Sequence, residues 1–284
     1  MTTWFITGIS RGLGLALAKA ALAQGDTVVG TVREGTPQPL AQPPAQPPAD
    51  RGALHVLTLD LADGDAAEAA VGRAFALAGR VDVIVNNAGY GLLGAVEQAS
   101  DAEVERLFAI DVFAPFRIIR AALPHLRSQG SGHIVNITSV AGRAPGPGAG
   151  LYAAAKHALE GLSASLAQEV GPLGIKVTAV APGAFRTDFL SAHSIRKSGA
   201  ADPAYAASVG RSSAAFDAMA GRQLGDPDRA AQAILALVRS ENPPLHLLLG
   251  TDALARTRAK LDSVMGEMAA WEGWTCGTDF VEPA

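Results

Sequence analysis

The chain has 284 residues, 49% of them hydrophobic and 18% charged, with a net charge of −4 and one cysteine. This is enough apolar material for one large α/β domain or two small ones. The lone Cys276 excludes an internal disulfide and any zinc site with two thiolates, and the absence of a Lys/Arg cluster argues against nucleic acid as a partner.

The six histidines, His55, His125, His133, His157, His193 and His246, show no metal-ligand spacing, so no metal is expected. No run of about 18 apolar residues is present, so no membrane span is expected. The first strand-like run starts at Thr3 and leaves no room for a secretory leader, which together with the single cysteine points to the cytoplasm.

In chain order, short apolar and β-branched runs predict strands at Thr3–Thr7, Thr27–Val32, Leu54–Leu59, Val81–Asn86, His133–Thr138, Lys176–Ala181 and Leu245–Leu249. Helical patterns predict Gly14–Gln24, Gly64–Ala78, Asp101–Ser128, Leu151–Val170 and Asp226–Arg239. Several strands are apolar throughout, as strands covered on both faces are. Repeated β-α units imply a single-domain, doubly wound parallel sheet of about seven strands, of Rossmann type, with helices on both faces. Ligands on such a sheet bind beyond the carboxyl ends of the strands. Two segments break the rhythm. Residues 34–52 are rich in Pro, Gln and Ala and read as a polyproline-like surface insert. Residues 183–225 form a long Ala/Ser-rich stretch that reads as a substrate lid.

Thr7-Gly8-Ile9-Ser10-Arg11-Gly12-Leu13-Gly14 closes the first strand and opens the first helix. Its glycines allow a tight turn and close approach of a pyrophosphate, and the helix N-terminus offers free N–H groups. No acid precedes Arg33 at the end of the second strand, where an NAD-binding site carries a carboxylate for the ribose hydroxyl. Arg11 and Arg33 together suit a 2′-phosphate instead, each such charge-assisted bond being worth ~1.5–3 kcal/mol. NADP(H) is therefore the expected cofactor. Asp60, after the third strand, could accept from the adenine amino group or simply cap a turn. Asn86-Asn87-Ala88-Gly89 could hold a loop against the cofactor or form an ordinary strand-end turn.

The strongest constellation is Ser139, Tyr152 and Lys156. Tyr152 and Lys156 lie four apart and share a helix face. Reduction of a carbonyl leaves an alkoxide that needs a proton. A phenol titrating near ~10 can supply it once a neighbouring cation lowers its pKa. Ser139 can hydrogen-bond the oxygen on which charge develops.

With those residues in place, the chain closely resembles the short-chain dehydrogenase/reductase family. The motifs run in order: TGxxxGxG at Thr7–Gly14, NNAG at Asn86–Gly89, Ser139 in NITSVAG, YxxxK at Tyr152–Lys156, and Pro182-Gly183. The GRAPGPGAGLYAAAKHALEG and PGAFRTDF stretches look like its hydroxysteroid-dehydrogenase-like, NADP-preferring carbonyl reductases. The resemblance implies Tyr152 as proton donor and acceptor, Lys156 on the nicotinamide ribose, Ser139 orienting substrate, and Thr187 at the carboxamide. It extends the expected cofactor contacts to Gly8, Ser10, Arg11, Gly12, Leu13, Gly14, Arg33, Asp60, Leu61, Asn87, Ala88, Gly89, Pro182 and Gly183. Where the family often has Asn, in a proton path behind the lysine in which its backbone carbonyl matters, this chain has Asp111, which could serve the same way or could pair with Lys156 and blunt its effect on Tyr152.

The expected function is hydride transfer between NADPH and a carbonyl or secondary alcohol. A non-catalytic NADP-binding regulator and an epimerase or dehydratase on the same fold are the alternatives. Phe185, Phe189, His193, Tyr205, Phe216 and Met219 in the lid suit an apolar substrate. The family often assembles as dimers or tetramers through its fourth and fifth helices, and the apolar face around 108–119 is compatible with a homodimer or homotetramer.

Overall fold

The computed structural model describes residues 1–35, 52–191 and 194–280. Nearly all of the Pro-rich insert, and His193 of the expected lid, lie outside the described residues.

Seven parallel strands form the central sheet: β1 (Thr3–Ile6), β2 (Thr27–Val32), β3 (Leu54–Thr58), β4 (Val83–Asn86), β6 (Gly132–Ile137), β7 (Ile175–Pro182) and β9 (His246–Leu249), ordered β3-β2-β1-β4-β6-β7-β9. The chain winds outward from β1 to β3, then returns to place β4 on the other side of β1. That reversal makes the gap between β1 and β4 the switch point, where a Rossmann-type sheet opens its binding crevice. Side chains alternate across the sheet: in β1, Trp4 and Ile6 join one core and Phe5 the other. On the first face, α1 (Gly12–Ala23) and α7 (Pro227–Arg239) supply Leu17, Ala21, Ile234 and Leu235. On the second, α2 (Gly64–Ala78), α4 (Ala114–Gln129) and α5 (Gly150–Val170) supply Val71, Ile118 and Leu166.

Three features depart from the sequence reading. The helix expected over 101–128 is two, α3 (Asp101–Phe108) and α4, joined by a wider π-helical turn at Ala109–Phe113. Pro115 accounts for the break: it lacks the N–H that would bond the Asp111 carbonyl, and its ring crowds that carbonyl. The 183–225 stretch is not structureless. It holds β8 (Ile195–Lys197), paired in parallel with the short β5 (Gly91–Leu93), and α6 (Arg211–Met219). Finally, the chain continues beyond β9 into α8 (Thr251–Cys276), a long helix that the sequence reading did not identify.

Candidate active site

The glycine turn sits between β1 and α1 with Gly8 and Gly12 at φ 74° and 58°, left-handed values that favour glycine. Gly14 is required by closeness instead: a Cβ there would lie 2.2 Å from the Gly8 carbonyl and 2.4 Å from Asn87 Nδ2. The Asn87 amide explains that crowding. It donates to the Thr7 and Gly8 carbonyls at 2.9 and 3.1 Å, while the Asn87 and Ala88 N–H groups donate to Thr7 Oγ1, both at 3.0 Å. The turn after β4 therefore clamps the turn after β1. Arg11, at the N-cap of α1, makes no side-chain cap, and the first turn of α1 carries no acid. The positive end of the helix is left open to an anion.

A cleft of about 720 Å³ runs from this turn across the ends of the strands. One end is bordered by Arg11, Arg33, Asp60 and Leu61. Arg11 and Arg33 are both exposed. Asp60 is already engaged: Oδ1 accepts the Ala62 N–H at 3.0 Å and Oδ2 meets Arg106 at 3.1 Å. The Ala62 bond foremost, then Arg106, hold its carboxyl below the usual carboxylate value against the effect of burial. Arg106 was not singled out from sequence. It sits on α3 amid ordinary helix charges, and only the fold brings it to Asp60. Glu34, also on the cleft wall, was read there only as the start of the insert.

Across the cleft, Ser139 follows β6 and caps the short turn Val140–Gly142, its Oγ accepting the Ala141 N–H at 3.1 Å. Tyr152 and Lys156 occupy the first two turns of α5 and are both buried. A Cβ on Gly142 would strike the Lys156 backbone at 2.9 Å, so this glycine lets the Ser139 turn lie against α5. Lys156 Nζ stands 5.7 Å from the centre of the Tyr152 ring and donates to the Ile137 carbonyl at 3.3 Å. Asp111, on the π-helical turn, is fully buried, with Oδ2 3.0 Å from Lys156 Nζ and Oδ1 accepting the Tyr90 N–H at 3.1 Å. The Oδ2 contact has ion-pair distance without hydrogen-bond alignment.

The electrostatics follow from this packing. Burial pushes the Tyr152 phenol up, the Lys156 charge pulls it down, Asp111 pushes it up again and the Ser139 hydroxyl lowers it; the net direction is upward. Lys156 thus acts in the expected direction on Tyr152, and burial outweighs it. Burial by itself would lower Lys156, but the charges of Asp111 and Tyr152 prevail and hold the ammonium above its ordinary value. Burial raises Asp111, with Lys156 opposing.

Pro182 and Gly183 end β7 on the cleft wall, and Thr187 lies against Gly12, 3.6 Å from where its Cβ would be. Asp252, in the first turn of α8, fixes this turn by accepting the Ala184 N–H at 2.8 Å. It went unnoticed because its helix did. The far end of the cleft is lined by Leu93, Phe189, Leu190, Ile195, Phe216 and Met219. Of the aromatic residues expected in the lid, Phe185, Phe189 and Phe216 border the cleft, and Tyr205 does not. Among the described residues no cluster of three His, Cys, Asp or Glu side chains could hold a metal, and no helix is long and apolar enough to cross a membrane.

The residues present fit a dinucleotide. A glycine turn, left-handed at Gly8 and Gly12 and without room for a Cβ at Gly14, faces an open helix N-terminus, and the adjoining cleft leads to a buried tyrosine and lysine. Fold and site together define an oxidoreductase with a Rossmann-type nucleotide-binding sheet. The family model for short chain dehydrogenases matches residues 2–197, and the chain belongs to that family. It is similar to Oxidoreductase BOA17 of Botryotinia fuckeliana, 38% identical over 88% of this chain and 89% of that one. It is 34% identical to a 3-ketodihydrosphingosine reductase of Bacteroides thetaiotaomicron, over 86% of each chain. A solved short-chain dehydrogenase from Streptomyces avermitilis is 42% identical, with a TM-score of 0.89 over 98% of this chain and 99% of that one. Homologues bind nicotinamide dinucleotides: one from Sphingobium yanoikuyae, 25% identical with a TM-score of 0.72 over 100% of this chain and 98% of its own, was solved with NADPH.

Proposed function

We propose that this chain is an NADPH-dependent reductase of apolar ketones, running as a secondary-alcohol dehydrogenase in reverse. The observation that carries the reading is the buried Tyr152, set between Lys156 and Ser139 on the cleft that leads from the glycine cradle. When bound, the nicotinamide supplies or accepts the hydride; the protein does the rest. Ser139 donates a hydrogen bond to the substrate oxygen as negative charge gathers there. Tyr152 delivers the proton to that oxygen, and its raised pKa keeps the phenol protonated at neutral pH, the form needed for reduction. Lys156 steadies the phenolate left behind and would hold the ribose hydroxyls of a bound dinucleotide.

Arg11 and Arg33 flank the adenosine end without an acid on β2 to take a ribose hydroxyl, which supports NADPH over NADH. The apolar far wall, with Phe189 tilted at 6.0 Å from the Tyr152 ring, supports an apolar carbonyl substrate and disfavours a sugar. The ketone-reducing Bacteroides relative is in keeping with this. We assign the whole chain to one Rossmann-type unit, with 183–225 as the cover over the substrate end. The exposed Phe113 and Phe116 on the α4 side are consistent with a homodimer or homotetramer formed there. The test is a panel of aliphatic, aromatic and polycyclic ketones beside sugars, each incubated with NADPH and with NADH while absorbance of the reduced ring is followed. Consumption of NADPH with apolar ketones is expected. Binding of NADPH without consumption against any carbonyl would replace this reading with that of a sensor.

A further inference from the structure

We propose that the overhanging part of α8 is a docking surface for a second copy of this chain, forming an antiparallel helix pair. At ~1.5 Å per residue, a helix of 26 residues is about 39 Å long, yet only Ala253 and Thr257 are buried. From Arg258 to Phe280 every described residue is exposed except Val264, which is half-buried. The side-chain hydrogen bonds of this stretch stay within it, as from Ser263 to Glu267 and Thr275 to Trp271.

The overhang is not a solvated helix by composition. Leu254, Thr257, Leu261, Val264, Met268 and Trp271 recur at alternating intervals of three and four, the spacing of a helix seam made to face another helix. The first turns press this seam onto the body through Thr257; the later turns carry it past the edge into water. Trp271 and Trp274 are 64% and 76% exposed, and with Leu261, Met265 and Met268 they offer on the order of 500 Å² of apolar surface per copy. Two copies together reach the ~1,000 Å² that a specific interface requires.

Charge selects the occupant. Beyond the docked first turn the basic residues come first, Arg256, Arg258 and Lys260, and the acidic ones follow, Asp262, Glu267 and Glu272. A parallel pair would oppose like charges, whereas an antiparallel pair opposes unlike ones. With a two-fold axis near Gly266, Leu261 lies opposite Trp271 of the second copy, and Arg258 opposite Glu272. Glu267 near the axis is the one like-charge approach. The acidic residues among the tryptophans disfavour an anionic lipid surface as the occupant. This surface is separate from the α4 side, so the two can act together in one assembly.

The test is sedimentation equilibrium on the full chain, with far-UV circular dichroism and NADPH binding to establish folding. Arg258→Glu and Glu272→Arg, each alone, should weaken one association step by tenfold or more, and the double reversal should restore it. Met268→Glu should weaken the same step and not be rescued. Equal association of the wild type and both single reversals would overturn the proposal. So would an association-independent rise in tryptophan fluorescence on adding neutral phosphatidylcholine vesicles, which would make lipid the occupant.

Discussion

Asp111 Oδ2 stands 3.0 Å from Lys156 Nζ, and both side chains are buried. The residue at this position is therefore a charged partner for Lys156, where an asparagine amide would be neutral. A buried pair of this kind is costly to desolvate and strongly destabilising to break from one side. The carboxylate also holds the turn after β4 through the Tyr90 N–H. On the proposed reading Asp111 would act on Tyr152 through Lys156 and through its own negative charge, as a positioning residue rather than one that meets substrate.

Replacing Asp111 by Asn tests this. Tyr152 is raised by burial first, lowered by Lys156 and raised again by Asp111. Removing the Asp111 charge takes away a raising influence, so the phenol should titrate at lower pH. Alcohol oxidation needs phenolate and ketone reduction needs phenol, so the limb of each pH profile that reports Tyr152 should move toward lower pH. The measurement is kcat/KM against pH in both directions for wild type and Asp111→Asn. Profiles that coincide, with altered thermal stability only, would make Asp111 a structural residue.

Tyr152→Phe should reduce turnover by ~10²–10⁴, the usual scale for loss of a general acid, with dinucleotide affinity nearly unchanged. Ser139→Ala should cost ~10² or more in kcat, because it removes a donor to the developing oxyanion. Steady-state kinetics with a fluorescence titration of NADPH separates the two effects. Full turnover in Tyr152→Phe would remove the phenol from the chemistry.

Arg33→Ala should weaken NADPH binding by roughly ten- to a hundredfold, the range of one or two charge-assisted phosphate bonds, and leave NADH binding largely unaltered. Arg11→Ala should act in the same direction. Equal losses for both dinucleotides would identify a structural arginine. Glu34, exposed beside Arg33 on the cleft wall, supplies a control: Glu34→Gln should favour NADPH further by removing a like charge from the phosphate site.

How far the sequence could be read depended on whether an interaction was local. The strands and most helices were legible because each depends on periodicity within one segment, and the glycine turn and the Tyr152–Lys156 pair because their spacing is fixed along the chain. Ser139, Asn87 and Gly89 were legible as residues following strands, since the sheet itself brings strand ends together. Arg106 on Asp60, and Asp252 on Ala184, were not, because partners separated by 46 and 68 positions leave no mark in either segment. The break at Ala109–Phe113 had its signal in Pro115, which was overridden by the long apolar pattern on both sides. Helix α8 escaped because its seam overhangs the body and its Gly266 and Gly273 interrupt the pattern.

Gly14→Ala tests the clamp between the first two strand-end turns. A methyl there would meet the Gly8 carbonyl and the Asn87 amide, both far inside contact distance and one of them backbone. The turn must open, and the Asn87 bonds to Thr7 and Gly8 must lengthen. Both dinucleotides should then bind tenfold or more weakly, without discrimination between them, which distinguishes this variant from Arg33→Ala. Asn87→Ala, which removes the same bonds from the other side, should show the same loss, and calorimetric titration checks both. Unchanged affinity in the two variants would mean that the cradle is not held by this clamp.

The last prediction concerns stability rather than chemistry. His133 on β6 is buried, and burial foremost, with Lys176 adding to it, lowers its pKa to about 4. Thr178 Oγ1 donates to the Pro244 carbonyl and so accepts from His133 Nε2–H at 3.0 Å; Nδ1 has no partner. The ring is thus held neutral, and a proton on Nδ1 would be buried without an acceptor. The unfolded chain binds that proton near pH ~6.5 and the folded chain only near pH 4, so the unfolded state carries more protons in between. The stability that neutrality confers is fully present above ~6.5 and is lost progressively as pH falls toward 4, reaching about 2 kcal/mol at pH 5. Urea unfolding at pH 7 and pH 5 should show this loss in the wild type, and His133→Leu should show a loss smaller by that amount. Equal losses in the two proteins would mean that His133 takes up its proton within the fold.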